Sequence, residues 1–289
     1  MERIIQDLRG PFELSIDRKP ETKYFHMQTQ FIHFSFDGKR TGTETYKFNL
    51  RFIPAALSGK NLDECTCQEF GLQINDGAIV TIPALKLWTY QLFSTKDLMF
   101  GIPHDRFEGL TDSLGNKIAP DIRYAIYNNF IDFHALNDAF SRPLKFGKAI
   151  QDLKFIGDRI VHMAAFSKAP VNLGTAVKAG SFFHNGEVTL ELKGLSIVDG
   201  APCAIVAFDS GQSSFQMLMN PMPNMEVRSV GASHYKGDLH IDLATRWPRK
   251  VTMDELVVAE STVPMLSNKV SAVIERNTII RNVSAKNAQ

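Results

Sequence analysis

Few folds can accommodate the segment Asp121–Phe140, DIRYAIYNNFIDFHALNDAF, a long helical pattern in a sequence that otherwise reads as strands and hairpins. At about 100° per residue, Ile122, Ile126, Phe130, Phe133, Leu136 and Phe140 share one broad face. Tyr124, Tyr127 and Ile131 cover much of the opposite side. A helix that is apolar nearly all round is normally enclosed by other structure. The expected fold is therefore α+β and mostly β, with curved antiparallel sheet surrounding one long central helix. Pro120 suits the first turn of that helix, and Pro143 lies just beyond its end.

The flanking strands are signalled by alternation and by turn residues. Asp37-Gly38-Lys39 marks a hairpin, and Tyr46, Phe48, Leu50 and Phe52 alternate with Lys47, Asn49 and Arg51 along its second arm. Further strands are expected at Glu69–Ile74, Ala78–Ile82 and Trp88–Phe93, with a turn at Asn75-Asp76-Gly77. In the second half they fall at Arg159–Phe166, Glu187–Leu192, Pro202–Phe208, Ser214–Met219, Asp238–Leu243, Lys250–Ala259 and Val270–Ile280. The helix is the natural divider. It separates a β-rich half at 1–119 from another at 143–289, with 120–142 between them, although one continuous domain fits equally well.

Lys and Arg number 32 against 31 Asp and Glu, a formal charge of +1 that offers no field for nucleic acid. No run of roughly 18 apolar residues is present that could span a bilayer. The N-terminal MERIIQDLRGPFE reads as a short amphipathic helix rather than a secretory signal, so a cytoplasmic location is expected. Cys65, Cys67 and Cys203 are an odd count, and packing rather than a disulfide framework is expected of them.

Between Pro170 and Glu260 the order of turns and strands is suggestive. Pro170-Val171-Asn172-Leu173-Gly174 and Ala179-Gly180-Ser181-Phe182 precede the strand Gly186–Leu192, and Asp199-Gly200, Ala204-Ile205-Val206 and Gly237–Asp242 follow. This region resembles bacterial β-rich domains of unknown function with a lipoprotein-carrier-like half-barrel. The resemblance implies a concave sheet with an apolar lining, and binding or chaperoning rather than a reaction.

Candidate polar groups lie in four places. On a strand, Asp238, His240 and Asp242 share one face, an arrangement open to metal or base chemistry but also produced by plain alternation. His234 is nearby; no HExxH-type spacing is present, and neither metal nor cofactor is expected. Asp209-Ser210-Gly211 lacks the GxSxG context of a serine nucleophile and reads as a hairpin turn. On the helix, Asn128 and Asp132 share a narrow stripe with Ala125, Ala135 and Ala139, where a carboxylate beside small side chains could meet a ligand. His134 and Asp138 lie on another sector, and the loop Gly101–Gly109 supplies His104, Asp105, Arg106 and Glu108.

These features point first to binding of an apolar or amphipathic small molecule in a β-lined cavity, with Tyr124, Tyr127, Asn128 and His104 as binding residues. The alternative is a cofactor-independent lyase, isomerase or cyclase in the same cavity, with Asp132, His134, Asp238 and His240 as acid–base groups. Exposed sheet edges leave partner binding or a homo-oligomer open.

Overall fold

The computed structural model describes residues 10–14, 18–93, 99–139, 147–170, 177–222, 225–264 and 269–285. The expected N-terminal helix and Phe140 lie outside these residues, as do the side chains of Asp138 and Ala139. The protein is mostly β, built on one large curved antiparallel sheet. Its first strands are β1 (Lys23–Phe34), β2 (Arg40–Ile53), β3 (Glu64–Ile74), β4 (Val80–Thr81) and β5 (Trp88–Gln91). Helix α1 (Pro120–His134) comes next, and a π turn, Ala135–Ala139, continues it. After the helix come β6 (Arg159–Val161), β7 (Lys168–Pro170), β8 (Phe182–His184), β9 (Thr189–Val198) and β10 (Ala201–Asp209). The chain closes with β11 (Ser213–Met222), β12 (Met225–Asp242), β13 (Pro248–Thr262) and β14 (Val270–Val283).

The main strand order is β4-β3-β2-β1-β14-β13-β12-β10-β9-β6. Hence β1 and β14 are neighbours, with Met27 opposite Ile280 and Phe31 opposite Arg276. This pairing joins strands from before and after the helix into one hydrogen-bonded surface.

Strand alternation decides which side chains meet the helix. Phe48, Met27, Ile280, Val251, Leu239 and Val206 are all buried, on the helix-bearing face of successive strands. Phe133 of α1 packs edge-on against Phe25 at 5.3 Å, and Phe130 stacks on Phe48 at 4.9 Å and on Phe70 at 5.7 Å. Rings offset or edge-on at these separations add to the burial of their area. Gly237 permits a close approach on the same face. A Cβ there would lie 1.8 Å from the Thr252 carbonyl oxygen and 2.8 Å from the Phe208 ring.

Three sequence expectations are corrected. Asp209-Ser210-Gly211 is a kink rather than a hairpin turn: β10 and β11 run in the same direction, both antiparallel to β12 and on one edge of it. Ser210 sustains the kink by donating its N–H to the Tyr235 carbonyl (2.9 Å) and accepting the Tyr235 N–H on Oγ (2.9 Å). Strand β12 starts at Met225, well before the expected Asp238, because its first half carries few apolar residues to betray it. The expected strand from Arg159 to Phe166 ends at Val161, where the chain turns.

Candidate functional site

Helix α1 has two unlike flanks. One flank, with Ile126, Asn129, Phe130, Phe133 and His134, is buried. Phe130 there meets Trp88 (5.4 Å), Phe107 (5.7 Å) and Tyr90 (6.2 Å) besides Phe48 and Phe70. On the other flank Tyr124, Ala125, Asn128, Ile131, Asp132 and Ala135 are only half-buried. Their spacing of three and four residues places them along one stripe.

An ion triplet faces this stripe. Arg276 of β14 donates Nη1 to Asp132 Oδ2 at 2.5 Å and Nη2 to Glu255 Oε2 of β13 at 2.6 Å. Ser233 of β12 donates its hydroxyl to Glu255 Oε1 at 2.5 Å. Sheet register brings these groups together: Phe31, Arg276, Glu255 and Tyr235 lie opposite one another on β1, β14, β13 and β12. The Tyr235 hydroxyl donates to Asn185 Oδ1 at 3.3 Å. The guanidinium also lies 5.8 Å from the centre of the Phe31 ring. One register step further, Glu44 of β2 accepts from the Tyr46 hydroxyl and pairs with His33 Nε2 at 3.2 Å.

Burial dominates the electrostatics. It raises the Asp132 carboxyl above the ordinary carboxylate range; Arg276 pulls it back and Glu255 pushes it up further. Burial works against the charge of Arg276, but Asp132 and Glu255 outweigh it and hold the guanidinium protonated. The Tyr124 phenol is pushed up to about 12 by burial, a shift softened by its hydrogen bond with Asn128. Tyr235 is likewise raised to about 12 by burial and by Glu255. Yet the side chains of Asp132 and Arg276 keep 23% and 14% of their surface accessible. These groups are deep in the protein and still reachable.

The remaining residues singled out in the sequence do not converge on Asp132. His134 is fully buried on the packed flank, where Nε2 lies 2.8 Å from the Tyr90 hydroxyl and the ring 5.3 Å from that of Phe100. Tyr127 and His104 stack together at 4.2 Å beside Phe107. Asp238 and His240 sit on the sheet face away from the helix, since Leu239 between them points into the core. There His240 Nδ1 bonds Ser196 Oγ at 2.9 Å, and burial, aided by Lys250, lowers its affinity for a proton against the pull of Asp238. Asp242, buried, accepts the N–H groups of Ala244 and Thr245 (2.9 Å each) and pairs with Arg249 at 2.7 Å, so it organises the β12–β13 turn. Among the described residues no group of three His, Cys, Asp or Glu is placed to hold a metal ion. No helix among them is long and apolar enough to cross a membrane.

Sequence reasoning passed over Arg276, Glu255, Ser233 and Tyr235. A signal did exist. Glu255 stands in phase with Val251 and Met253, and Arg276 in phase with Thr278 and Ile280, so each is a charge at a core-facing position.

No family model matches the chain, and no curated protein matches it. The solved structures to which the chain is weakly similar include the following three. One, described as "Asymmetric conductivity of engineered proteins", is 10% identical over 91% of this chain and 100% of its own, with a TM-score of 0.21. A putative outer membrane lipoprotein-sorting protein domain from Vibrio parahaemolyticus is 10% identical over 92% of this chain and 89% of its own, with a TM-score of 0.15. A DUF1329 family protein from Desulfovibrio piger is 8% identical over 93% of this chain and 90% of its own, also at 0.15.

Proposed function

We propose that the protein binds an amphipathic small molecule in a hollow between the half-buried flank of α1 and strands β12–β14, with the sheet curving about the helix. The observation that carries this reading is the Asp132–Arg276–Glu255 triplet, deep in the fold yet still partly accessible on two of its members. Replacing a buried ion group by packed apolar side chains is often neutral or stabilising, so stability alone does not account for the triplet. Phe31, Ala125, Ile131 and Tyr235 are partly buried beside the core and supply apolar surface around the polar groups. That mixture, mostly apolar with a few placed polar groups, is the usual make-up of a small-molecule site.

Titration of the purified chain with a fluorescent amphiphile tests the reading. Saturable binding at one site per chain is expected, and Ile131→Trp, which fills the hollow, should weaken it at least tenfold without unfolding the protein. Binding unchanged by that substitution would place the ligand elsewhere.

A second reading is favoured by the raised proton affinity of Asp132, which suits a general acid or base. Under it Asp132 works without His134, Asp238 or His240, none of which shares its surroundings. Once a turnover substrate is in hand, Asp132→Asn should abolish the reaction while leaving substrate binding in place; retained turnover would exclude the role.

A further inference from the structure

The Asp132–Arg276–Glu255 triplet joins two carboxylates to one guanidinium, so one negative charge is left unmatched. Among the described residues Arg276 is the one cation that acts on Asp132. Its donors are already engaged or enclosed. Nη1 goes to Asp132, Nη2 to Glu255, and Nε, without a partner, is shut off from solvent. Both oxygens of Glu255 are engaged too, one by Arg276 and one by Ser233. What stays open is Asp132 Oδ1. Oδ2 accepts from Arg276, whereas Oδ1 has no hydrogen-bond partner among the described residues, on a side chain that is 23% accessible.

That oxygen needs a donor, and a second vacant acceptor is near it on the helix. Asn129, three residues back, is fully buried; its Nδ2 donates to the Ala125 carbonyl at 2.8 Å, and its Oδ1 has no donor. Residues at i and i+3 are helix neighbours, with Cβ atoms about 5–6 Å apart. A protonated primary amine brings three N–H donors and a positive charge, where a hydroxyl brings one donor and no charge. Charge-assisted hydrogen bonds are roughly twice as strong as neutral ones. A cation at Oδ1 would also oppose the burial that raises the Asp132 carboxyl, and so hold it ionised. Glu255, facing the guanidinium, offsets the repulsion that Arg276 would exert. A carboxylate head group would meet the reverse, a negative surplus and no reachable N–H of Arg276.

We propose that the ligand carries a protonated amine that donates to Asp132 Oδ1, and that the surplus negative charge of the triplet disfavours a carboxylate head group. This rests on the binding reading above and adds the chemistry of the head group to it. The apolar part of such a molecule would lie along Phe31, Ile131 and Ala135, which are half-buried.

Four probes of equal chain length separate the outcomes: decylammonium, decyltrimethylammonium, 1-decanol and decanoate, each titrated calorimetrically into the full chain at pH 7.5. Decylammonium should bind at least tenfold more tightly than decanol or decanoate. It should also bind more tightly than decyltrimethylammonium, which has the charge but no N–H. In Asp132→Asn, which removes the surplus charge, decylammonium should lose its advantage over decanol, while decanol binds as before and so reports an intact fold. Added salt should weaken decylammonium relative to decanol in the unmodified chain, a readout that needs no variant. Decanol or decanoate binding as tightly as decylammonium would overturn the head-group assignment and leave the binding reading standing. An advantage that survives Asp132→Asn or is indifferent to salt would overturn it too, as would equal binding of the two ammonium probes. If none of the four binds while the chain is folded, the binding reading falls and the assignment with it.

Discussion

The two flanks of α1 both mix apolar and polar residues, but one is fully buried and the other only half-buried. On the packed flank the polar groups are turned inward: Asn129 Nδ2 donates to the Ala125 carbonyl at 2.8 Å one turn back, and His134 meets the Tyr90 hydroxyl of β5. Aromatic rings fill the rest. On the opposite flank the polar groups reach across to another part of the sheet, as Asp132 does to Arg276, 144 residues away. A flank closed by aromatic packing holds the helix in place. The opposite flank is tied by a long-range ion pair and stays only half-buried. The contrast can be broken by substitutions that should affect stability on one side and binding on the other.

The largest effect is expected from Phe130→Ala. Its ring is fully buried among five aromatic neighbours, and its removal should cost about 3–5 kcal/mol of unfolding free energy. Urea denaturation measures this. A loss below about 1 kcal/mol would mean that this flank is not the anchor.

Arg276→Met comes next. It leaves Asp132 and Glu255 without their shared counter-charge, and breaking a buried pair by removing one partner costs about 3–5 kcal/mol when fully buried. Arg276 retains 14% of its side-chain surface, so the lower end of that range is expected. Adding Asp132→Asn and Glu255→Gln to the same chain should recover most of the loss. Failure to recover would show that Arg276 contributes mainly through packing.

A smaller effect should appear in the pH dependence of stability. Asp132 holds its proton more tightly folded than unfolded, because burial raises its carboxyl. The folded state therefore carries more protons between the ordinary carboxylate pKa and the raised one, and stability falls as pH rises through that interval. His33, raised by its bond to Glu44, acts with the same sign at higher pH: its contribution is present below its unfolded pKa and is lost as pH rises through its folded one. Melting temperatures of Asp132→Asn and His33→Gln across pH 4 to 8 should each flatten one part of this slope. A slope unchanged in Asp132→Asn would mean that its carboxyl is not buried as described.

Tyr124→Phe should have the least effect on stability, under about 0.5 kcal/mol, since it removes one hydroxyl from a half-buried position. Binding of the amphiphile should nonetheless weaken by about 0.5–1.5 kcal/mol if the phenol bonds it. An equal loss of stability and no loss of binding would assign Tyr124 to the packed flank instead.

Sequence patterning made the helix legible because its apolar residues recur around nearly the whole circumference, and from Ile122 to Asn137 no residue is exposed. The hairpin of β1 and β2 was legible for the same reason, through clean alternation from Tyr46 to Phe52. The first half of β12 was not. In Met225–Gly237 glycines and serines occupy positions that apolar residues would fill, and Gly237 is small because Phe208 and the Thr252 carbonyl crowd it. For the candidate site, Asp132, Asn128 and Tyr124 were within reach, as a stripe on one element. Their partners were not, because register between β1, β14, β13 and β12 brings Arg276 and Glu255 to the helix, and periodicity within one strand carries no record of its neighbours. Asp238 and His240 misdirected attention for a related reason: alternation shows that two side chains share a face, but not which face meets the core.

The most direct measurement is a crystal structure of the full chain grown with the amphiphile used for titration. Ligand density between α1 and strands β13 and β14, beside the Arg276 triplet and against Phe31 and Ile131, is the expected result. A space between Ile131 and Tyr235 closed by side-chain contact, with no ligand beside the Arg276 triplet, would contradict it.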